Sequence, residues 1–292
     1  MRRILLAVSA VLASLGSNAT ALAAEATIHG IQSPAWVERP DRIIAARPGF
    51  QLSPSDQLRT GAGGRIELDL ADGSRFQIGE RADVTMESLA MAQDERGEFL
   101  DSVINVLKGA FRYTTKLVGR DRRRDLRIRA GTATIGIRGT DVWGAVSADG
   151  RSMMVLLEGS VTVDMPGEQM TVATPMMAML MQGDTHREQM ATMAQLPPLA
   201  AQTDMRPEAA MMMMEGGYAL VVMSLQDMAT AERLVATLDE AGYPASIRTV
   251  DLAYGRYHRV VLDHLPDAHH AAMLAAELAG QYGISGTWVT RQ

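Results

Sequence analysis

The stretch Tyr218–Gln292, YALVVMSLQDMATAERLVATLDEAGYPASIRTVDLAYGRYHRVVLDHLPDAHHAAMLAAELAGQYGISGTWVTRQ, carries the strongest local signals in the chain. Tyr218 to Leu225 is an apolar run of strand length. Asp227 is a good N-cap for a helix whose apolar stripe runs Ala231, Leu234, Val235, Leu238, Ala241, and Gly242 and Pro244 end it. Ala245 to Val250 predicts a second strand, Asp251 to Gly255 a turn, and Tyr257 to Asp263 a third strand. Pro266 and Asp267 open a second helix with Ala268, Ala271, Ala272, Ala275, Leu278, Ala279 and Tyr282 on one face. Gly283 and Gly286 then lead to a last strand, Thr287 to Thr290. The order is βαββαβ. Two helices that bury Leu and Ala stripes lie on one face of a four-stranded antiparallel sheet and leave the other face open. Period-two alternation points Val260 and Leu262 at the helices and Tyr257, Arg259 and Val261 at the open face.

Upstream, residues 182–217 lose strand alternation. Pro197-Pro198, Pro207 and scattered Ala, Met, Gln and Thr predict a flexible Met/Ala/Pro linker. Residues 35–181 alternate apolar and polar side chains, as in Ile66, Leu68 and Leu70, in Phe76 and Ile78, and in Val161 and Val163. Turn signals such as Asp72-Gly73-Ser74 recur between the runs. This region predicts an all-β domain, either a sandwich or a β-solenoid-like stack.

Residues 1–23 read as a signal peptide: Arg2 and Arg3, an apolar core from Ile4 to Leu15, and the small residues of Ala21-Leu22-Ala23. That core falls short of the roughly 20 residues that span a bilayer, so no stable transmembrane anchor is expected after cleavage. The chain of 292 residues has no cysteine, which rules out disulfides and a lipidated cysteine and leaves stability to apolar cores. A net charge of −6 argues against a nucleic-acid partner, which needs a basic footprint. Against that balance, arginines crowd residues 120–129, with Asp121 and Asp125 partly neutralising them. Arg122, Arg123 and Arg124 are a candidate docking patch for an acidic partner or an anionic membrane surface; a solvated hairpin tip is the plainer reading. Arg138 between two glycines is most simply a cation satisfying loop carbonyls.

Chemistry-bearing motifs are sparse. His29, His186, His258, His264, His269 and His270 show no metal-ligand spacing, and no Gly-x-Ser-x-Gly elbow or phosphate loop is present. Neither a catalytic residue, a cofactor nor a metal site is expected. The methionines at Met176, Met177, Met179, Met181 and Met211 to Met214 offer soft donors suited to Cu(I). Methionine is spread through the whole chain, 21 in all, which favours its use as an adaptable apolar filler.

Leu58-Arg59-Thr60-Gly61, Asp72-Gly73-Ser74, Leu107-Lys108-Gly109-Ala110-Phe111-Arg112, Gly136-Ile137-Arg138-Gly139-Thr140 and Leu157-Glu158-Gly159-Ser160-Val161 together resemble the FecR domain over about residues 50–172. That resemblance implies a periplasmic sensor or scaffold. Founding members carry an anti-sigma segment and a membrane helix before the domain. Here the expected signal peptide takes that place, which favours an envelope scaffold over a sigma-factor relay.

The βαββαβ pattern, with Tyr257-His258-Arg259-Val260 opening its third strand, resembles a SPOR domain. The resemblance implies binding to peptidoglycan glycan strands stripped of their stem peptides, at the division septum. Ser224, Tyr257, Arg259 and Trp288 are the glycan-binding residues it nominates. The sequence departs from the family pattern at Val221 (usually Gln), at Met223 (usually Gly) and at Asp263-His264-Leu265 (usually Gly-Pro-Phe). The chain as a whole reads as a non-enzymatic periplasmic cell-wall protein with an unidentified periplasmic protein partner for its FecR-like domain. The competing reading is a signalling or transport-regulation relay in which the C-terminal module mediates protein contact.

Overall fold

The computed structural model describes residues 25–95, 97–115 and 123–292, so the expected signal peptide lies outside the described residues. The N-terminal region is built from two sheets, antiparallel but for one parallel pair, that share one strand, Gly97–Thr114. Its first half, through Lys108, pairs with Asp83–Asp94 and, in parallel, with Arg123–Ala130. From Gly109 onward the same strand pairs with Arg75–Ile78 and Asp141–Val146.

Gly109 makes this change of sheet feasible. It has φ +102°, and a Cβ there would lie 2.4 Å from the Cβ of Ala82. Only glycine combines that backbone with that approach.

The sheets enclose one core. The first sheet contributes Ile66, Leu68, Phe76, Ile78 and Phe111; the second contributes Val84, Met86, Ile104, Ile128, Ile135 and Val163, all fully buried. Phe76 and Phe111 stack with centroids 5.8 Å apart. Strand Ala133–Ile137 shows the strict buried–half-buried alternation that the sequence pattern demands. At the 72–74 turn, Gly73 has φ +81° and the Asp72 carboxylate accepts from the Ser74 amide at 2.9 Å. The architecture is a β-sandwich with a bridging strand.

Two sequence-based boundaries need correction. The β domain begins before residue 35, because Ala26–Gln32 is an interior strand between Arg65–Leu70 and Met211–Met213. A β-bulge at Ile28/Gly30 shifts the parity of its side chains and hides the alternation. The expected linker, 182–217, is folded onto the sandwich. Thr185–Met190 pairs with Met177–Gln182, a 3₁₀ turn spans Met193–Gln195, and Leu196–Thr203 is an α-helix. Pro197 and Pro198 occupy the first turn of that helix, where backbone N–H groups have no intrahelical partner, so proline costs nothing there. Met179, Met181 and Met212 are buried core side chains.

The C-terminal region follows after Gly217. Its strands are Tyr218–Leu225, Ala245–Leu252, Gly255–Leu265 and Trp288–Arg291, and its helices are Met228–Glu240 and Ala268–Tyr282. The sheet order is second, third, first, fourth, all antiparallel. Asp227 and Asp267 cap the helices by accepting from the amides of Thr230 and His270, each at 2.9 Å. Gly283 ends the second helix with φ +65°.

The module is seated against the sandwich. The Trp36 indole N–H donates to the Glu240 carbonyl at 3.2 Å, and the Ala35 amide donates to the Gly242 carbonyl at 3.5 Å. A Cβ on Gly242 would come within 2.9 Å of Ala35 and Trp36 atoms.

Candidate functional site

The open face of the C-terminal sheet follows from its register. Leu220, Val260 and Leu262 join the main core on the helix side, whereas Ala219, Val221 and Val261 form a separate small apolar cluster on the other side. Cross-strand partners share a face. Val221 stands opposite both Val261 and Trp288, while Arg259 stands opposite both Ser224 and Arg248. The four sequence-nominated residues therefore lie on one surface, with Tyr257 two positions before Arg259 on the same strand.

At the centre, the Arg259 guanidinium carbon sits over the Trp288 ring, 5.4 Å from its centroid, and Trp288 is 39% exposed. The ring holds the planar cation in place by cation–π attraction. The Arg259 Nε is buried without a hydrogen-bond partner among the described residues. A buried donor of that kind gains from a ligand oxygen.

At one end, the Tyr257 hydroxyl accepts from Gln226 Nε2 at 2.8 Å, and Tyr254 meets the Tyr257 ring edge-on at 5.5 Å. Tyr254 is 73% exposed. At the other end, Asp263 accepts from Arg248 at 2.6 Å, Gln292 at 2.7 Å and Ser246 at 3.2 Å. Those three donors engage the carboxylate, and Arg259 has no anionic partner among the described residues.

The surface thus offers exposed aromatic rings, a pinned cation between them and an apolar floor. Aromatic rings cover the apolar faces of sugars, and a guanidinium donates to hydroxyl and amide oxygens. Tyr254, Gln226 and Arg248 belong to this surface but escaped the sequence reading. Tyr254 was assigned to a turn, and Gln226 and Arg248 join only through side-chain contacts across strands. Val221, where the family pattern has Gln, is 2% exposed and serves as floor.

The arginine-rich segment is less concentrated than its sequence suggests. Arg127 pairs with Asp101 at 3.1 Å and Asp125 at 3.3 Å, and Arg129 pairs with Glu87. Arg122 and the side chains of Arg123 and Arg124 lie outside the described residues, although the backbone of the latter two opens a strand. Arg138 is exposed, and its side chain meets no loop carbonyl among the described residues. No cluster of three or more His, Asp or Glu side chains able to hold a metal occurs among the described residues. Nor is any described helix long and apolar enough to cross a membrane.

No curated protein sequence matches the chain. Two crystal structures of a Parabacteroides distasonis protein, provisionally described as an anti-sigma factor, are similar at 12% and 13% identity. Each has a TM-score of 0.40 and covers 78% of this chain and 92% of the other, a likeness too distant to carry argument. The FecR protein family matches residues 56–162, within the sandwich, and the SPOR domain family matches residues 215–291, across the C-terminal module. The chain therefore combines a FecR domain with a C-terminal SPOR domain, in that order.

Proposed function

We propose that this chain is a non-enzymatic periplasmic protein held at the cell wall by its C-terminal module. The open sheet face binds denuded glycan strands, as at the division septum, and the FecR domain serves as scaffold or sensor for a protein partner. The arrangement of Arg259 over Trp288, with Ser224 opposite and Tyr257 and Tyr254 alongside, is the observation that carries this reading. It supplies ring surfaces and an unneutralised donor on a face that the helices leave open. The SPOR match supports the ligand class, and the FecR match supports a signalling-related role for the sandwich.

Co-sedimentation with amidase-treated sacculi tests the wall-binding half. The full chain should pellet with treated sacculi and pellet less with untreated ones. Arg259→Ala should weaken binding about tenfold or more, because hydrogen bonds to a charged donor are worth roughly 1.5–3 kcal/mol. A chain that stays in the supernatant with treated sacculi would falsify the reading. The FecR match also favours a second reading, a relay in which the module contacts protein. Periplasmic crosslinking that captures a regulatory partner through the module's sheet face, with no sacculus binding, would favour that alternative.

A further inference from the structure

A cavity lies elsewhere, on the outer face of the first sheet of the sandwich. It has a volume of about 980 Å³. Its floor is a row of cross-strand neighbours fixed by register: Ala110 opposite Ala145, Ala145 opposite Met153, Met153 opposite Leu180, and Leu180 opposite Arg187. The two alanines of the row, Ala110 and Ala145, leave room for the hollow. One wall comes from the segment between strands Thr185–Met190 and Met211–Met213, where Ala201 and Gln202 of the helix and Arg206 beyond it close over the sheet.

The lining is strongly cationic. Arg65, Arg81, Lys108, Arg151, Arg187 and Arg206 face the hollow, against a single carboxylate, Glu80. The protein as a whole has a net charge of −6, so this is a local reversal. Glu80 is already engaged by the Gly63 amide at 2.6 Å, which with Arg65 and Arg81 nearby holds its carboxyl below the usual range. Arg151 is paired with Asp149 at 2.8 Å. Lys108, Arg187 and Arg206 have no ion-pair partner among the described residues.

Arg65 is the least ordinary member. It is 0% exposed, its terminal nitrogens donate to the carbonyls of Gly64 at 3.0 Å and Ala201 at 3.1 Å, and its Nε has no partner among the described residues. Burial disfavours the charged form of Arg65, and Arg206 nearby adds repulsion, which Glu80 and Asp204 offset only in part, so its pKa is held below the ordinary guanidinium range. An anion in the hollow relieves both.

We infer that this cavity is a binding site for a small amphiphilic anion, a carboxylate or phosphate head on an apolar body. The head meets Arg187 and Arg206, with the positive charge of Arg65 buried beneath, and the body lies along Ala110, Ala145, Met153 and Leu180. A neutral apolar molecule leaves the cations unpaired, and a cation is repelled by them.

Calorimetric titration of the full chain with octanoate, octyl phosphate, octanol and octylammonium below their aggregation limits tests the site. At least one of the two anions should bind tenfold or more tightly than octanol, with octylammonium weakest, and the preference between octanoate and octyl phosphate assigns the head group. The double variant Arg187→Gln/Arg206→Gln changes side chains without ion-pair partners. It should melt like the parent while losing at least tenfold in anion affinity. Equal binding of octanol and both anions, absent anion binding, or unchanged anion affinity in the double variant would each overturn the proposal. Sacculus binding is read separately, so a failure here is distinguishable from a failure of the glycan site.

Discussion

The sandwich and the C-terminal module each present a sheet with two faces and treat the second face differently. In the sandwich each sheet covers the inner face of the other, and the chain's last sandwich elements fold back over part of one outer face. Binding geometry there takes the form of a hollow walled by segments far apart in sequence. In the module two helices cover one face and nothing of the module covers the other. Binding geometry there is a flat array fixed by strand register alone. A covered sheet builds a cavity, whereas an uncovered one displays a surface.

Substitutions can break this contrast at different points. The largest effect is expected at the strand common to both sheets. Gly109→Val forces a β-branched residue into positive φ and against Ala82, costing about 4 kcal/mol from strain and overpacking together. Urea denaturation should show a sharply lowered midpoint. In the module, Leu274→Ala removes a fully buried helix side chain and should cost about 3 kcal/mol, read from the same experiment. Leu274 belongs to the core cluster that runs on into the sandwich, so the two regions should lose stability together in one transition; two separate transitions would break that coupling.

Function can be perturbed without touching either core. Trp288→Ala removes the ring beneath Arg259 and should reduce sacculus binding about fivefold, near 1 kcal/mol, while thermal stability stays put. Retained affinity in that variant would show that the ring is packing rather than contact.

A smaller, pH-dependent effect belongs to Tyr243. Burial first, and then the Glu277 carboxylate that accepts its hydrogen bond at 2.6 Å, push its phenol well above the ordinary value of 10.0. The folded state thus keeps a proton that the unfolded state releases. Its stabilising contribution is complete below about pH 10 and is lost as pH rises from there toward the folded value. Tyr243→Phe should flatten the alkaline limb of a stability–pH curve.

The module was legible because local and global signals agreed. Asp227, Asp267 and Gly283 cap what the apolar stripes predicted, and period two correctly turned Arg259 outward. The sandwich was legible wherever alternation was regular, as in Ala133–Ile137. It was not legible at Ala26–Gln32, where a bulge changes parity, or over 182–217, where prolines in a first helical turn resemble a tether. Nor could the cationic hollow be read, since Arg65, Arg151, Arg187 and Arg206 meet only after the sheet has formed. Their convergence is a property of topology, not of any window of sequence.

The bond from Trp36 to the Glu240 carbonyl, with Gly242 pressed against Ala35, has a geometric consequence. A wall binder on a long tether lets its cargo domain sweep a wide volume. Here the two halves meet directly, so a glycan strand lying on the module's sheet would set the compass heading of the whole sandwich. Neighbouring copies along one strand would then point the same way, and their hollows would form a row whose direction is inherited from the wall.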